Sequence, residues 1–186
     1  DVPPGVAELG LHNFWGYSTH SYFSPHPGYC VSAHAGEHVL EFRDMVKALH
    51  DAGIGIILDV VFNHTTEGGV GGPMINFKGI GNETFYHLDP TDRSIYRDYT
   101  GCGNTLNCNH PMVAKFILEC LEYWVREMHV DGFRFDLASV LSRGEDGEPL
   151  HHAPVLWNIE FSNTLAETRI IAEAWDAAGL YQVGDF

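Results

Sequence analysis

The stretch "HVDGFRFDLAS", residues 129–139, has the apolar spacing of a buried β-strand but carries charged residues inside it. Phe133 and Phe135 alternate with Arg134 and Asp136, so the phenylalanines project from one face and the charged pair from the other. Because an unpaired buried charge is costly, we expect Arg134 to pair with Asp136 and keep it ionised. A buried ion pair with a purely structural role is the alternative interpretation.

Segments with helical spacing alternate with apolar, β-branched segments along the chain. The predicted order is a helix over 38–52, a strand over 54–62, a helix over 109–129, a strand over 130–136, a helix over 155–167 and a strand over 169–175. Alternating strands and helices predict an α/β fold with a parallel sheet, here part of a closed barrel.

Each predicted strand ends in polar or ionisable residues. They are Asp59, Asn63 and His64 at the first strand, Asp136 at the second, and Glu173, Trp175 and Asp176 at the third. In a parallel barrel these ends meet at one rim, the usual place for an active site. Two neighbouring carboxylates suit retaining glycoside cleavage, in which one attacks and the other protonates, at a separation of about 5 Å. We expect Asp136 to be the anionic nucleophile and Glu173 to keep its proton in a less polar pocket.

Three of these segments resemble conserved regions of the α-amylase family of glycoside hydrolases. They are "DVVFNH" at 59–64, "GFRFD" at 132–136 and "EAWD" at 173–176. The resemblance implies a TIM (β/α)8 barrel, with Asp136 as nucleophile and Glu173 as general acid/base. It also implies that Arg134 and His64 contact the nucleophile and the sugar, and that Asp59 supports this network.

Further segments are similar to the isoamylase and glycogen-debranching subfamily. They are "NFWGYSTHSYFSPHPGYC" at 13–30, "GCGNTLNCNHP" at 101–111, "FDLAS" at 135–139 and "AEAWD" at 172–176. Members of the subfamily hydrolyse α-1,6 branch points of glycogen or amylopectin, so a branched α-glucan is the expected partner. By the resemblance Tyr17 stacks on the sugar, while Trp175 either lines the groove or packs against the barrel rim. Amylase-type α-1,4 hydrolysis and transglycosylation use the same residues and remain alternatives.

The chain departs from the family in one respect. The family has a third catalytic Asp in a later strand-end region, and no such segment follows Glu173. The first two and last three barrel strands are also expected to be missing, so that residues 1–186 form a partial catalytic domain covering about the third to fifth strands. A long irregular loop is expected at 65–110. Alone, this chain is expected to be inactive and poorly stable, because three strands cannot close a barrel and leave exposed edges.

Composition excludes several other functions. A formal charge of -15 over 186 residues argues against a nucleic-acid surface, and no apolar run approaches membrane-spanning length. No cofactor is expected, and storage-glucan metabolism indicates the cytoplasm, or a plastid in a plant or alga. Cys102 and Cys108 are close enough in sequence for a disulfide, although free thiols are the favoured interpretation.

Three alternatives to the glycosidase prediction are a metal site, a nucleotide-binding site and a glucan-binding scaffold. His64, Glu67 and His87 suggest a metal site, but their spacing lacks the HExxH pattern, and no metal is predicted. Some members of the family bind calcium through a residue that corresponds to Asn63. The "GGVGG" at 68–72 is a weak nucleotide signal without a following GK[ST]. A glucan-binding scaffold protein would need aromatic residues but has no need of an Arg with two catalytic carboxylates.

Overall fold

The computed structural model describes residues 4–32 and 34–185. Its sheet consists of three strands: β1 (Ile57–Val60), β2 (Gly132–Phe135) and β3 (Arg169–Ala172). They lie in the order β1-β2-β3, and both pairs are parallel. The predicted parallel sheet is therefore confirmed.

Helices precede and connect the strands. They are α1 (Pro4–Glu8), α2 (Glu37–Asp51), α3 (Phe77–Phe85), α4 (Pro111–Arg126) and α5 (Pro154–Glu160), with 3-10 turns at Pro27–Tyr29 and Ala138–Ser142. The predicted helix over 38–52 is α2, which ends where Gly53 adopts a φ of 75° that glycine tolerates best. Among the described residues no helix is long and apolar enough to cross a membrane.

The main core lies between β2 and α4. Phe133 and Phe135 are almost fully buried on the side of the sheet that faces this helix. The His110 side chain caps the helix by accepting a hydrogen bond from the Met112 amide, and Pro111 occupies the first turn, where proline is favoured. The buried residues of α4 recur at helical spacing: Val113, Ala114, Ile117, Cys120, Leu121 and Trp124.

The opposite face of the sheet carries Arg134 and is largely open. Ile57 and Ile171 are about half exposed there, at 44% and 46%. Arg134 lies in register with Ile171 of the neighbouring strand, so both belong to this face. In a closed barrel this face would be the interior, with the phenylalanine face against the outer helices.

Two predicted elements differ from the structure. The segment 65–110 contains α3, because the buried Glu67 carboxylate accepts the amides of Ile75, Asn76 and Lys78 at the start of that helix. The third predicted helix ends at Glu160 rather than 167. Beyond it, side chains of the segment bond to α4 instead, as Ser162 Oγ does to Glu122 at 2.7 Å.

The four cysteines, all in the described part of the chain, are free thiols. Cys108 and Cys120 are buried, whereas Cys102 is exposed and Cys30 is half-buried. The favoured prediction of free thiols is therefore confirmed, and the alternative Cys102–Cys108 disulfide is wrong.

Candidate active site

The candidate site lies where the three strands end. Asp59 in β1 is in register with Arg134 in β2, so both side chains leave the sheet on the same face. Asp136 directly follows β2, and Glu173 directly follows β3. The parallel sheet thus brings the predicted strand-end residues together.

Arg134 is at the centre of this group. Its Nη1 donates to Asp59 Oδ1 at 2.8 Å and to Asp136 Oδ1 at 3.1 Å, and its Nη2 is 2.9 Å from Glu173 Oε1. Burial lowers the pKa of Arg134. The hydrogen bond to Asp59 and the charges of the carboxylates raise this pKa by more than burial lowers it, so the net shift is upward. One permanently charged guanidinium therefore faces three carboxylates.

Asn63 holds Asp136 from the other side. Its Nδ2 donates to Asp136 Oδ2 at 2.8 Å and to the Asp136 main-chain oxygen at 2.9 Å. Asn63 is fully buried, and the Asp136 side chain is only 14% exposed. Both oxygens of the Asp136 carboxylate therefore accept hydrogen bonds from fixed donors, which orient the group.

His64 connects this group to the segment that carries Tyr17. Its Nδ1 contacts Asn63 Oδ1, and its Nε2 is 3.0 Å from the Tyr17 main-chain oxygen. Both partners are acceptors, so the ring satisfies both contacts only when it is doubly protonated. Burial lowers the pKa of His64, although the Tyr17 hydrogen bond and the Asp136 charge oppose that shift.

The Tyr17 side chain completes a closed ring of contacts. Its hydroxyl donates to Asp59 Oδ2 at 2.9 Å, which raises the pKa of the phenol, and Asp59 in turn bonds to Arg134. The ring runs through Tyr17, Asp59, Arg134, Asp136, Asn63 and His64. Tyr17 is thus held at its hydroxyl and at its carbonyl by two chains of contacts that both end at Asp136.

Glu173 lies beside this ring and is held as a carboxylate. Burial raises its pKa, but hydrogen bonds from the Leu137 amide and the Trp175 side chain, the charge of Arg134 and a contact with Asp136 outweigh burial, and the pKa is lowered. The expectation that Glu173 keeps its proton in a less polar pocket is therefore wrong for the free protein. The cause is the number of donors directed at this carboxylate.

The turn after β2 supplies one of those donors. Leu137 has a φ of 42°, in the left-handed region that residues other than glycine rarely adopt. This conformation accompanies a 2.8 Å hydrogen bond from its amide to Glu173 Oε2, and the Ala138 amide bonds to the Glu173 main-chain oxygen at 2.8 Å. Strained backbone of this kind is typical of functional sites, where the surrounding structure holds it.

The two residues after Ala174 have different surroundings. Trp175 is 41% exposed, and its hydrogen bond to Glu173 places it at the edge of the site. Asp176 is buried and pairs with Arg143 at 2.6 Å, so it is not among the residues that Arg134 gathers.

The residues behind the metal and nucleotide alternatives are engaged elsewhere. Glu67 accepts the amides that begin α3, His64 belongs to the ring, and His87 is buried against Tyr99. In the described part of the chain no group of three or more His, Cys, Asp or Glu side chains has metal-binding geometry. Carbonyl oxygens in the glycine-rich loop 68–72 point at the Lys78 ammonium, whereas a phosphate-binding loop presents amides.

Sequence reasoning did not assign a positioning role to Asn63. It was considered only through the calcium-binding members of the family, yet both ends of its amide are used within the ring. The available signal was its place four residues after Asp59, at the end of an apolar strand. A buried amide at such a position has to be hydrogen-bonded by its neighbours.

Comparison with known sequences identifies close relatives, although no protein-family model matches the chain. The chain is 47% identical over 196 residues to Isoamylase SU1, chloroplastic, of Zea mays, covering 94% of this chain and 25% of that protein. It is 48% identical over 186 residues to a glycogen operon protein GlgX homolog of Mycobacterium tuberculosis, covering 97% of this chain and 25% of that protein. The chain thus spans about a quarter of the length of these relatives.

Solved structures with a similar fold are pullulanases. The pullulanase from Bacillus acidopullulyticus matches with a TM-score of 0.71 and 31% identity, over 89% of this chain and 19% of that one. The pullulanase from Anoxybacillus sp. LM18-11 complexed with maltotriose matches with a TM-score of 0.69 and 28% identity, over 87% and 21%. Their backbone and the site geometry above point to the same family.

Proposed function

Because the chain belongs to the isoamylase and glycogen-debranching branch of the α-amylase family of glycoside hydrolases, we propose that the protein containing it hydrolyses α-1,6 branch points of glycogen or amylopectin. The observation that carries the proposal is the contact of one Arg134 guanidinium with both Asp136 and Glu173. It makes the two carboxylates close neighbours, as a retaining mechanism requires.

The proposed reaction is a double displacement. Asp136 attacks the anomeric carbon while Glu173 donates a proton to the departing glycosidic oxygen, which leaves a glycosyl ester on Asp136. Glu173, now a carboxylate, then takes a proton from water, and the water oxygen attacks the anomeric carbon. The bond to Asp136 breaks, so the product keeps the configuration of the substrate and both carboxyl groups return to their starting states.

The free protein does not hold Glu173 in the protonated form that the first step of this reaction requires. Its carboxylate is ion-paired with Arg134 and bonded by Trp175 and Leu137. We propose that a bound glucan separates Glu173 from some of these donors and excludes water, which raises the pKa towards that of a general acid.

The remaining predicted residues are proposed to bind the sugar at the cleavage site. Tyr17 would stack on the sugar face, and His64 and Arg134 would contact the sugar and the nucleophile. Asp59 would support them, since it bonds both the Tyr17 hydroxyl and Arg134. Trp175, half exposed beside Glu173, would line the groove rather than fill the core.

The rest of the catalytic domain is proposed to lie outside this chain. We assign β1, β2 and β3 to about the third, fourth and fifth strands of the TIM barrel, with the third catalytic Asp on a later strand. Exposed Ile57, Ile170 and Ile171 on the sheet are consistent with further strands and helices packing there. The isolated chain is accordingly expected to lack Glu173-dependent hydrolysis.

Two other functions would use the same residues. An α-1,4-acting hydrolase or transglycosylase of this family would share the site, and a glucan-binding scaffold would share its aromatic residues.

The plant relatives are named chloroplastic, and the bacterial ones are glycogen operon proteins. We propose a plastid or cytoplasmic location accordingly.

Product analysis tests the proposal. The full-length protein is incubated separately with glycogen and with linear maltodextrin, with Glu173→Gln as the inactive control. Linear chains released from glycogen, with maltodextrin unchanged, would support α-1,6 debranching. Shortened maltodextrin would indicate an amylase-type enzyme, and no reaction with either glucan would favour the scaffold.

A further inference from the structure

A buried ion pair outside the ring joins the loops that follow β2 and β3. Arg143 Nη2 is 2.6 Å and Nε 2.8 Å from Asp176 Oδ2, and the two side chains are 7% and 0% exposed. By contrast, the Arg43–Glu127 pair is 39% and 55% exposed. A pair this deeply buried is desolvated, so its energetic contribution depends on fixed geometry.

Each partner is also fixed by its surroundings. The Arg143 guanidinium lies 4.1 Å from the centre of the Tyr99 ring, and its Nη1 donates to the Gly147 main-chain oxygen at 2.5 Å. Asp176 Oδ1 accepts the amides of Ala178 and Leu180, at 2.9 and 3.0 Å. All three nitrogens of the Arg143 guanidinium and both oxygens of the Asp176 carboxylate therefore have a partner within the protein.

A third loop is attached at the same place. The Tyr99 main-chain oxygen accepts a 3.0 Å hydrogen bond from Ala177, next to Asp176. The pair thus connects the loops around Tyr99, Arg143 and Asp176, which we call the three-loop clamp.

The clamp joins the two loops that follow the proposed nucleophile and the proposed proton donor in sequence. Asp176 is three residues beyond Glu173, with Trp175 between them, and Arg143 is seven residues beyond Asp136. The same two loops meet again at the site itself, where the Leu137 and Ala138 amides bond to Glu173.

We propose that Arg143 and Asp176 are positioning residues, which fix the distance of Glu173 and Trp175 from Asp136 during proton transfer. The inference rests on the proposed glycosidase function. A well-packed apolar pair would stabilise the loops as well as a buried ion pair does, whereas Nε and Nη2 of Arg143 both contact one Asp176 oxygen and thereby set the orientation of the two loops. An error of about 1 Å in a catalytic group lowers the rate on the order of 100-fold.

The test compares two substrates in the full-length protein. Arg143→Met, Arg143→Lys and Asp176→Asn are assayed on a branched glucan and on α-maltosyl fluoride. Fluoride leaves without a proton from the enzyme, whereas the glucan oxygen needs one. We expect kcat on the glucan to fall about 10- to 100-fold, whereas the rate of fluoride release in the first turnover, which precedes the step that needs Glu173 as a base, should fall less than about threefold.

Arg43→Met, which removes a surface pair, is the matched control and should change neither rate. Equal losses in kcat on the glucan and in the first-turnover release of fluoride, or no loss on the glucan, would overturn the positioning role. Arg143→Met leaves the Asp176 carboxylate buried without its charged partner, and this variant is therefore at risk of not folding. Arg143→Lys keeps a positive charge at this position and keeps the test available in that case.

Hydrogen exchange separates this inference from the proposed function. If the clamp positions Glu173, Arg143→Lys should speed exchange of the Leu137 and Ala138 amides at least tenfold, because Glu173 is their acceptor. Unchanged exchange would overturn the inference whatever the activity. A wild-type protein that cleaves neither substrate would instead overturn the proposed function.

Discussion

Arg134 Nη2 lies 2.9 Å from Glu173 Oε1, so the group proposed to supply a proton is ion-paired in the free protein. The pKa of Glu173 is lowered, which means that this carboxyl binds its proton less readily than an ordinary Glu does. The contacts that lower the pKa are present above it and weaken as the pH falls through it. In the proposed mechanism, protonation of Glu173 therefore depends on a change that substrate binding brings about.

The pH dependence of activity should reveal this change. The profile of kcat/KM follows the free protein, and the profile of kcat follows the complex with substrate. We expect the basic limb of kcat/KM to lie at lower pH than that of kcat, since the Glu173 pKa is lowered only before binding. Coincident limbs would show that glucan binding does not alter the Glu173 pKa.

Trp175→Phe should move one of these limbs. The variant removes the indole donor to Glu173 and keeps an aromatic ring, so the Glu173 pKa in the free protein should rise and the kcat/KM limb should shift to higher pH. Trp157→Phe is the matched control, because Trp157 is 42% exposed and Trp175 41%. A shift of equal size in both variants would contradict the assignment.

Asn63→Ala should lower kcat more than it raises KM. The variant removes the Nδ2 donor from Asp136 and the acceptor from His64, so the proposed nucleophile loses one of the two contacts that orient it. We expect a fall in kcat of roughly 10- to 100-fold. Asn82→Ala, at an amide that contacts Tyr96 away from the site, should leave kcat unchanged.

Asn63→Asp sharpens this experiment. It would place a second carboxylate against Asp136, so like-charge repulsion should make it less active than Asn63→Ala. Equal activity of the Asp variant and the wild type would show that Asn63 does not orient the nucleophile.

Lys78 should stabilise the loop that precedes α3. Its Nζ donates to the main-chain oxygens of Glu67 and Gly69, at 2.8 and 2.5 Å, next to the buried Glu67 carboxylate. Lys78→Met leaves these acceptors unpaired and should lower the free energy of unfolding by about 1–3 kcal/mol. Lys115→Met removes only an exposed pair at 3.5 Å and should change it by less than about 1 kcal/mol in urea unfolding. Equal effects would contradict a structural role for Lys78.

The cysteines should differ in reactivity. Burial raises the pKa of Cys108 and of Cys120 to about 12, so neither forms the reactive thiolate in the folded protein. Alkylation of the native protein should label Cys30 and Cys102, and only denaturation should expose the other two. A peptide linked through Cys102 and Cys108 would contradict the free thiols of the structure.

The strands, two of the helices and the convergence of the site could be predicted from local patterns. Apolar spacing identified α2 and α4, and parallel strands bring their ends to one edge whatever their details. This reasoning was sufficient to bring together Asp59, Arg134, Asp136 and Glu173.

The remainder depends on contacts between residues far apart in sequence. The amides at the start of α3 donate hydrogen bonds to the Glu67 carboxylate, and no periodicity in the sequence reveals this contact. Asp176 follows a strand end as Glu173 does, but Arg143 draws it into a buried pair. The protonation of Glu173 was predicted wrongly, because it depends on donors from Leu137 and Arg134 rather than on burial alone.

The most direct test of the central claim is to trap the proposed intermediate on Asp136. Full-length Glu173→Gln protein is mixed with α-maltosyl fluoride, which needs no acid to react, and the removal of the sugar is slow without a general base. Mass spectrometry of the digested protein should find one maltosyl group esterified to Asp136. An unlabelled Asp136, or a label on another carboxylate, would contradict the assignment of Asp136 as nucleophile and Glu173 as acid/base.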